Sequence, residues 1–241
     1  MEIADDRIAI VIPTYNEADN IKKLVSAICA IYPRARIFVV VDNSPDGTAH
    51  IVSEAARKLS NLTLIWREKR EGLSTAYLDA FARIIGSEDI QGLITMDADF
   101  SHDPDDLQKL ARAAGDADVV VGSRYVAGGR IENWARWRKI ISVCGNVYTR
   151  FILQTPVRDL TSGFVFYRRE TLGKILLAGV APRQPYAFQT EMKYIARLLG
   201  ARVREVPITF RERASGKSKL KRTAIIEALF FPWYLRFFKK R

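Results

Sequence analysis

Residues 8–31, IAIVIPTYNEADNIKKLVSAICAI, join a continuous apolar run to a short polar loop and then to a helical pattern. Five apolar residues in succession, at 8–12, predict a strand that is buried on both faces. Apolar residues at helical spacing over Ala18–Ile31 predict a helix that packs on this strand. A buried strand followed by a helix is the repeating unit of a parallel α/β sheet.

The same alternation continues along the chain, without an internal repeat or a low-complexity linker. Further strands are predicted at 37–41, 62–66, 92–96 and 118–121, and further helices at 49–59, 74–85 and 104–113. The sequence therefore predicts one α/β domain over residues 1–220, with a mostly parallel sheet flanked by helices. Residues 221–241 form a basic amphipathic appendage in this interpretation.

Charge is distributed unevenly along the 241 residues, which carry a formal net charge of +11. From residue 197 to the end there are 13 lysines and arginines against three acidic residues, so nearly the whole excess lies in the last fifth. A basic segment of this kind favours anionic partners, among them phosphate, lipid headgroups and nucleic acid.

Two cysteines, Cys29 and Cys144, lie in apolar stretches. We expect both thiols to be buried, because two isolated cysteines form no disulfide framework. No signal peptide is recognisable at the start, and no apolar run approaches the roughly 18–20 residues that cross a bilayer. The sequence therefore predicts a protein of the cytoplasmic side.

Polar residues follow three of the predicted strands, at 13–17 (PTYNE), 42–47 (DNSPDG) and 97–99 (DAD). Ligands of parallel sheets bind beyond the carboxyl ends of the strands, so we expect one functional site at this edge. The loops lack GxGxxG and GxxxxGK[ST], which disfavours dinucleotide and P-loop sites. Only two histidines occur in the chain, which disfavours His-based metal sites and a Ser-His-Asp hydrolase.

Asp97 and Asp99 are two residues apart on an extended chain, so their carboxylates point to the same side. Such a pair can hold Mg²⁺ or Mn²⁺ and leave coordination positions for phosphate oxygens. The ion would offset the charge of a diphosphate leaving group. Asp-x-Asp alone occurs by chance in many proteins, so its context decides.

The context is a set of collinear motifs that covers roughly residues 8–220. The segments are 11–17 (VIPTYNE), 42–48 (DNSPDGT), 72–77 (GLSTAY), 97–102 (DADFSH), 122–125 (GSRY), 133–134 (NW), 138–142 (RKIIS), Asn146, 159–164 (DLTSGF), 189–191 (QTE), 207–210 (PITF) and 213–219 (RASGKSK). In this order they resemble glycosyltransferase family 2 and, within it, the polyprenyl-phosphate mannose synthases of the dolichol-phosphate type. The resemblance implies a glycosyltransferase with a GT-A type fold, which binds a nucleotide sugar.

The resemblance also implies the residues of the donor site. The nucleotide-sugar ligands would be Pro13, Tyr15, Glu17, Asp42, Asp46, Asp97, Ala98, Asp99, Arg213 and Lys219. Mg²⁺ or Mn²⁺ would be held by Asp97 and Asp99, with Ser101 at a position where some relatives place an amide ligand. The chain departs from the family pattern at Val41, where similar proteins usually carry the first of two adjacent aspartates. This difference affects which carboxylate would bind the base of the nucleotide.

Arg124, Arg138 and Ser142 match positions that hold the acceptor phosphate, and guanidinium groups suit this task because they pair bidentately with phosphate. The implied reaction moves mannose from GDP-mannose to a polyprenyl (dolichyl) phosphate with inversion, and Asp97, Asp99 and Arg124 would carry the catalysis. The acceptor needs no general base, because the second pKa of a phosphate monoester is near about 6.

The last apolar segment, residues 225–238 (IIEALFFPWYLRFF), precedes Lys-Lys-Arg at the end of the chain. Aromatic residues beside basic ones suit a helix that lies in the headgroup zone of a membrane. A last helix packed on the domain is the alternative. We therefore expect a protein bound peripherally at the cytoplasmic face of a membrane, where some relatives have a small membrane-embedded subunit as a partner.

Three other functions fit parts of the sequence. A related family 2 transferase that uses UDP-glucose or another nucleotide sugar carries much the same motifs. A nucleic-acid-binding protein fits the basic tail, but the aromatic residues form one apolar block and do not alternate with basic ones, so we expect no nucleic-acid partner. A catalytically inactive nucleotide-sugar binder is disfavoured by the intact pair Asp97 and Asp99. Asp159 is interpreted as structural or sugar-orienting, with a role as a base as the less favoured alternative.

Overall fold

The structure is a computed structural model, and it describes residues 3–183, 185–212 and 222–239. The strands within these residues are β1 (Ile8–Thr14), β2 (Arg36–Asp42), β3 (Leu62–Arg67), β4 (Gly92–Thr95), β5 (Val119–Ser123), β6 (Arg130–Glu132), β7 (Val165–Arg168), β8 (Val203–Pro207) and β9 (Thr209–Arg211). The helices are α1 (Ala18–Ile31), α2 (Thr48–Ala56), α3 (Leu73–Ile85), α4 (Leu107–Ala113), α5 (Arg136–Leu153), α6 (Arg169–Leu177), α7 (Pro185–Leu198) and α8 (Arg222–Phe238).

Seven strands form the central sheet in the order β3-β2-β1-β4-β7-β5-β8. Neighbouring strands are parallel except at β7, which runs antiparallel to both β4 and β5. β6 and β9 form a separate parallel pair. The prediction of a mostly parallel sheet flanked by helices is confirmed, whereas β7 was not predicted.

The predicted elements of the first half agree with the structure to within about three residues at each end. One difference lies at 104–113, which was predicted as a single helix. Its first turn is a 3₁₀ helix over Pro104–Asp106, and α4 follows it. The Asp103 side chain accepts a hydrogen bond from the Asp105 N–H at 3.1 Å and so caps this turn.

Apolar side chains cover both faces of the sheet, as the uninterrupted apolar run of β1 requires. Ile8, Ile10 and Ile12 belong to a core shared with α1, α2 and α4, and Ala9 and Val11 belong to the core on the opposite face. That second core includes residues of α3, α6 and α7, and α8 adds Phe231 and Leu235 to it. Full burial of such side chains stabilises the fold by roughly 1.5–3 kcal/mol each.

Helix α5 has an exposed apolar face, which the sequence did not lead us to expect. Trp137, Ile140, Val147 and Phe151 are all exposed, and Phe151 keeps 82% of its accessible surface. Cys144 is exposed on the same helix, so the expectation of a buried thiol was wrong there, because the apolar stretch around it faces outwards. Within the described residues, no helix is both long enough and apolar enough to cross a membrane.

Candidate functional site

The three polar loops meet at one edge of the sheet because β2, β1 and β4 are adjacent and parallel. The loops after β1 and β2 are joined by hydrogen bonds: the Asn16 N–H donates to Ser44 Oγ at 3.1 Å, and the Glu17 N–H donates to Thr48 Oγ1 at 3.0 Å. Pro13 is buried at the end of β1, and Tyr15 is half-buried with the Arg70 guanidinium 3.8 Å from its ring centroid. The predicted convergence of these loops is confirmed.

Asp46 fixes the start of two helices. One carboxylate oxygen accepts from the Ala18 N–H at 2.9 Å, and the other accepts from the Thr48 N–H at 3.0 Å and from its hydroxyl at 2.6 Å. Burial alone would raise the pKa of Asp46, but the hydrogen bonds from Thr48 and Ala18 outweigh it, and the pKa is lowered. The ionised carboxylate thereby locks the loops after β1 and β2 to each other.

Asp42 lies buried at the end of β2, in an ion pair with Arg67. The Arg67 Nη1 is 3.1 Å from Asp42 Oδ1, while Asp42 Oδ2 accepts from the Gly72 N–H at 3.3 Å. Gly72 has φ of 98°, a conformation that favours glycine, and it directly precedes α3. Val41 is buried in the core on the opposite face, because successive side chains of a strand alternate. Sequence reasoning missed Arg67, whose partner is 25 residues away.

The acid pair sits in a tight turn after β4. Asp99 is buried, and its Oδ1 accepts from the Ser101 N–H at 3.0 Å and from the Ser101 hydroxyl at 2.5 Å. Phe100 between them has φ of 58°, a left-handed conformation that strains a bulky residue. Ala98 is buried, whereas the Asp97 side chain keeps 30% of its surface exposed. The turn therefore holds Asp99 in one orientation beside the open edge.

His102 packs against this turn and binds its backbone, a contact that the sequence did not reveal. Its Nδ1 accepts a hydrogen bond from the Asp97 N–H at 3.1 Å, and its ring stacks on Phe164 with centroids 4.9 Å apart. Burial lowers the pKa of His102, although Asp97 and Asp99 act in the opposite direction. Because Nδ1 accepts from the Asp97 N–H, it carries no proton, and the neutral ring has its proton on Nε2. The spacing of five residues between Asp97 and His102 was the available signal.

The acid pair fits a divalent ion that is shared with a ligand. In the part of the chain that the structure describes, no three His, Cys, Asp or Glu side chains are arranged to chelate a metal by themselves. Mg²⁺ commonly uses one or two carboxylates and completes its shell with water and phosphate oxygens. Asp97 and Asp99 supply such a pair of hard oxygen ligands.

Arg124 and Asp159 form a buried ion pair a short distance along the same edge. Asp159 accepts from the Arg124 backbone N–H at 3.0 Å and from Nε and Nη2 at 2.7 Å each, and Nη2 also donates to Thr161 Oγ1 at 2.7 Å. Burial would raise the pKa of Asp159, but Arg124 lowers it below the usual value. The same pairing outweighs burial at Arg124 and raises its pKa.

Arg138 and Ser142 of α5 lie beside this pair, and Trp134 links the two arginines. The Arg138 Cζ is 4.0 Å and the Arg124 Cζ 5.8 Å from the centroid of the Trp134 ring. Ser142 Oγ accepts from the Tyr125 hydroxyl at 2.7 Å. The structure thus brings the predicted residues Arg124, Arg138 and Ser142 into one cluster.

An aromatic side chain of β9 connects the arginine cluster to the acid pair. The Phe210 ring meets Trp134 and His102 edge to face, with centroids 5.5 Å apart in both cases. Arg138 also forms an ion pair with Glu212 at 2.8 Å. Arg213 and Lys219, which the resemblance placed at the donor diphosphate, lie outside the described residues.

Gln189 and Lys193 of α7 were not assigned by the sequence, although the segment QTE was noted. A Cβ atom on Gly163 would lie 3.6 Å from Asp97 Oδ1 and 3.8 Å from Gln189 Nε2, which places Gln189 beside the acid pair. The buried Lys193 Nζ donates to backbone oxygens of Leu160 and Ser162 at 3.2 and 2.7 Å. Burial lowers the pKa of Lys193 to about 7.

Comparisons with known proteins identify a family and relatives with similar names. The model of the family described as glycosyl transferase family 2 matches residues 9–176. A polyprenol monophosphomannose synthase of Mycolicibacterium smegmatis is 40% identical over 226 residues, which cover 93% of this chain and 84% of that protein. An undecaprenyl-phosphate mannosyltransferase of Micrococcus luteus is 37% identical over 223 residues, which cover 92% of this chain and 91% of that protein.

Solved structures share the fold at lower identity. A mannosyltransferase of Pyrobaculum calidifontis in complex with GDP-Man and Mn²⁺ superposes with a TM-score of 0.60 at 20% identity, over 88% of this chain and 58% of that one. A glucosyl-3-phosphoglycerate synthase of Mycobacterium tuberculosis in complex with Mn²⁺ and UDP superposes with a TM-score of 0.65 at 18% identity. The superposition covers 93% of this chain and 79% of that one. These neighbours and the sheet order confirm the GT-A fold. The chain belongs to glycosyl transferase family 2 and is a glycosyltransferase.

Proposed function

We propose that the protein transfers mannose from GDP-mannose to a polyprenyl (dolichyl) phosphate, with inversion at the anomeric carbon. The observation that carries this proposal is the position of a carboxylate pair and an arginine cluster on the two sides of Phe210, at one edge of the sheet. A site with these two halves suits a reaction between two phosphate-bearing substrates. The names of the two bacterial relatives support mannose as the sugar and a polyprenyl phosphate as the acceptor.

The donor half consists of the loops after β1, β2 and β4. We assign the nucleotide to Pro13, Tyr15, Glu17, Asp42 and Asp46, and the diphosphate end to Asp97, Ala98 and Asp99. Asp46 would act mainly through the loops, because both of its oxygens already bind backbone or side-chain donors of α1 and α2. Arg213 and Lys219 are proposed from the sequence alone as cations for the diphosphate.

Asp97 and Asp99 would hold Mg²⁺ or Mn²⁺ together with the donor diphosphate. When bound, such an ion offsets the negative charge that develops on the leaving group. Ser101 is placed to orient Asp99, since its N–H and its hydroxyl both donate to Oδ1. The strained conformation of Phe100 would hold Asp99 and Ser101 in the orientation that this hydrogen bonding needs.

The acceptor half consists of Arg124, Arg138 and Ser142. Asp159 fixes the plane of the Arg124 guanidinium, so the cation is oriented before the acceptor phosphate arrives. Arg138 would exchange its ion pair with Glu212 for the incoming phosphate, at a position held by the Trp134 ring. Ser142 would donate its hydroxyl to a phosphate oxygen while it accepts from Tyr125.

The reaction would be a direct displacement. An oxygen of the acceptor phosphate forms the new bond to the anomeric carbon, and the bond from that carbon to GDP breaks. No side chain needs to remove a proton, because the phosphate is already ionised near neutral pH. Two side chains that could serve as a base are already engaged: His102 Nδ1 accepts a hydrogen bond, and Asp159 is bound by Arg124.

Attachment to the cytoplasmic face of a membrane would bring the lipid acceptor to the site. Residues 221–241 are basic and apolar in sequence, and the exposed apolar face of α5 adds a second surface of the same kind. Helix α5 carries Arg138 and Ser142 near its start, so a membrane along this helix would lie beside the acceptor half. A small membrane-embedded subunit would strengthen the attachment. We propose this peripheral location, with residues 1–220 as the catalytic domain.

Radiolabelled sugar transfer tests the proposal. Purified full-length protein is given GDP-mannose, or UDP-glucose in parallel, with a short polyprenyl phosphate in detergent and with Mg²⁺ or Mn²⁺. Metal-dependent label in the lipid phase from GDP-mannose alone is the expected result. Label from UDP-glucose alone would support the proposed reaction type but refute GDP-mannose as the donor. Absence of label from both, with GDP binding intact, would overturn the acceptor.

A further inference from the structure

An open cleft of about 440 Å³ lies between the last turns of α5 and the outer side of α8. Three aromatic side chains line it: Phe151 from α5, and Trp233 and Phe237 from α8. Two arginines, Arg150 and Arg236, also line it. Ser142, which belongs to the proposed acceptor half, precedes Arg150 by eight residues on α5. Because a helix rises about 1.5 Å per residue, the cleft is roughly 12 Å along α5 from that hydroxyl.

The two arginines of this cleft have no acidic partner among the described side chains. Neither Arg150 nor Arg236 lies within ion-pair distance of a carboxylate among the side chains that the structure describes, which are those of residues 3–183, 186–212 and 229–239. Arg236 donates to the neutral Gln154 Oε1 at 2.8 Å. The Arg150 Nε is buried and has no hydrogen-bond acceptor among the same residues. An arginine without an acidic partner keeps a full charge that can bind an anion through its remaining N–H donors.

The sequence around the cleft is complementary to negative charge. Helix α5 contains Arg136, Arg138, Lys139 and Arg150 and no aspartate or glutamate. Its outer face is apolar, and Phe151 at the mouth of the cleft is the most exposed aromatic residue on this helix, at 82%. Apolar and aromatic side chains beside arginines are the composition of a surface that enters the interface of an anionic bilayer.

The cleft is held in a fixed shape by contacts between its two helices. The Trp233 Nε1 donates to the Tyr148 hydroxyl at 2.9 Å, and that hydroxyl donates to the Leu229 backbone oxygen at 2.8 Å. Phe231 and Leu235 anchor α8 in the core of the domain. The binding surface therefore exists before a ligand arrives, which reduces the entropy lost on binding.

We propose that the cleft between α5 and α8 binds the headgroup phosphate of an anionic phospholipid, at a site separate from the acceptor phosphate. Arg150 and Arg236 bind the phosphate, and Phe151, Trp233 and Phe237 contact the first carbons of the acyl chains. The assignment adds to the proposed function a lipid that is bound but not consumed. It depends on membrane attachment and not on the identity of the sugar donor.

Vesicle flotation with the purified full-length chain tests this site. The vesicles contain phosphatidylcholine alone, or equal parts of phosphatidylcholine and phosphatidylglycerol. Replacing both arginines, Arg150→Gln with Arg236→Gln, should weaken binding to the mixed vesicles by roughly 30-fold, since each basic residue at such a surface contributes about fivefold. Binding to phosphatidylcholine alone should change little.

A matched control removes the same charge elsewhere. The control variant combines Lys22→Gln with Lys23→Gln. Both lysines are exposed on α1, which packs on the other face of the sheet from the cleft. This control should weaken binding by less than about threefold, because charges beyond a Debye length are screened. Equal losses in the two double variants would overturn the site and leave only a general attraction of a basic protein to anionic lipid.

Two further measurements separate the alternatives. Phe151→Ser should weaken binding to both kinds of vesicle, because it removes apolar contact and no charge. If free glycerol phosphate at millimolar concentration displaces the protein from vesicles, the cleft binds a soluble anion and the lipid assignment is overturned. A dimer in solution that Phe151→Ser dissociates would assign the surface to a second copy of the chain and would also overturn it.

Transfer activity in detergent distinguishes a failure of this inference from a failure of the proposed function. All of these variants should transfer mannose in detergent at the wild-type rate, since none of the changed residues lies at the acid pair or the arginine cluster. Wild-type protein that binds anionic vesicles but transfers no sugar would refute the proposed function and leave the lipid site standing.

Discussion

The carboxylate of Asp159 accepts three hydrogen bonds from Arg124, although the two residues are 35 positions apart. The side chains of both residues are buried, and Thr161 accepts a further hydrogen bond from the guanidinium. An arginine bound in this way has one orientation, so the Asp159 segment serves to position a cation.

Asp159→Asn should destabilise the protein by about 3–5 kcal/mol, because it leaves the buried Arg124 without a counter-charge. Transfer should fall as well, mainly through a higher KM for the polyprenyl phosphate. Urea denaturation and steady-state kinetics measure the two effects. Asp89→Asn breaks the exposed ion pair with Arg36 and should cost no more than about 1 kcal/mol. Equal losses of stability in the two variants would contradict the special role of the buried pair.

Asp99→Asn should lower metal-dependent transfer by about 10²–10³, because one of the two hard ligands loses its charge. Ser101→Ala keeps the carboxylate and removes one hydrogen bond to it, so its loss should stay near about tenfold. Activity is measured while Mn²⁺ is titrated. A smaller effect of Asp99→Asn than of Ser101→Ala would contradict the assignment of Asp99 as a metal ligand.

Asp46→Ala should raise the KM for the nucleotide sugar with little change in kcat, because it unlocks the two loops and removes no group from the reacting atoms. The loss of its bonds to Ala18 and Thr48 should also cost roughly 1–2 kcal/mol of stability. Asp19→Ala, in the first turn of α1 and exposed, is the matched control. A fall in kcat at unchanged KM would show that Asp46 contributes to the chemical step.

Lys193 gives a prediction for the pH dependence of stability. Burial lowers its pKa to about 7 in the folded protein, against 10.5 for an ordinary lysine. Between these values the unfolded chain binds one proton more, so the free energy of unfolding should rise with pH by about 1.4 kcal/mol per unit. Lys193→Met should lose this slope, although it also leaves the backbone oxygens of Leu160 and Ser162 without a donor.

Denaturant titrations of wild type and Lys193→Met from pH 6 to pH 10 measure this difference. Below pH 7 both states of the wild type are protonated and the difference between the two proteins should be constant. Above pH 7 it should shift in favour of the wild type. A difference independent of pH over the whole range would mean that the four surrounding oxygens keep the amine charged in the folded state.

The sequence by itself determined the order of the first strands and helices and the edge of the sheet that carries the site. Continuous apolar runs such as 8–12 identify strands buried on both faces, because burial on two sides leaves no polar position. Residues Asp97 and Asp99 could be placed together, because their relation depends only on the local geometry of a strand end. The order of the motifs along the chain identified the family, because comparing motifs requires no knowledge of which residues are in contact.

Only the tertiary structure decided which distant groups meet. The antiparallel strand β7 between β4 and β5 and the pairs Arg67–Asp42 and Arg124–Asp159 depend on chain topology, which local periodicity does not encode. The same holds for α5, whose apolar stretch predicts burial but whose neighbours leave Phe151 and Cys144 exposed. Hydrophobic pattern determines that a face is apolar, whereas packing determines whether protein, lipid or water covers it.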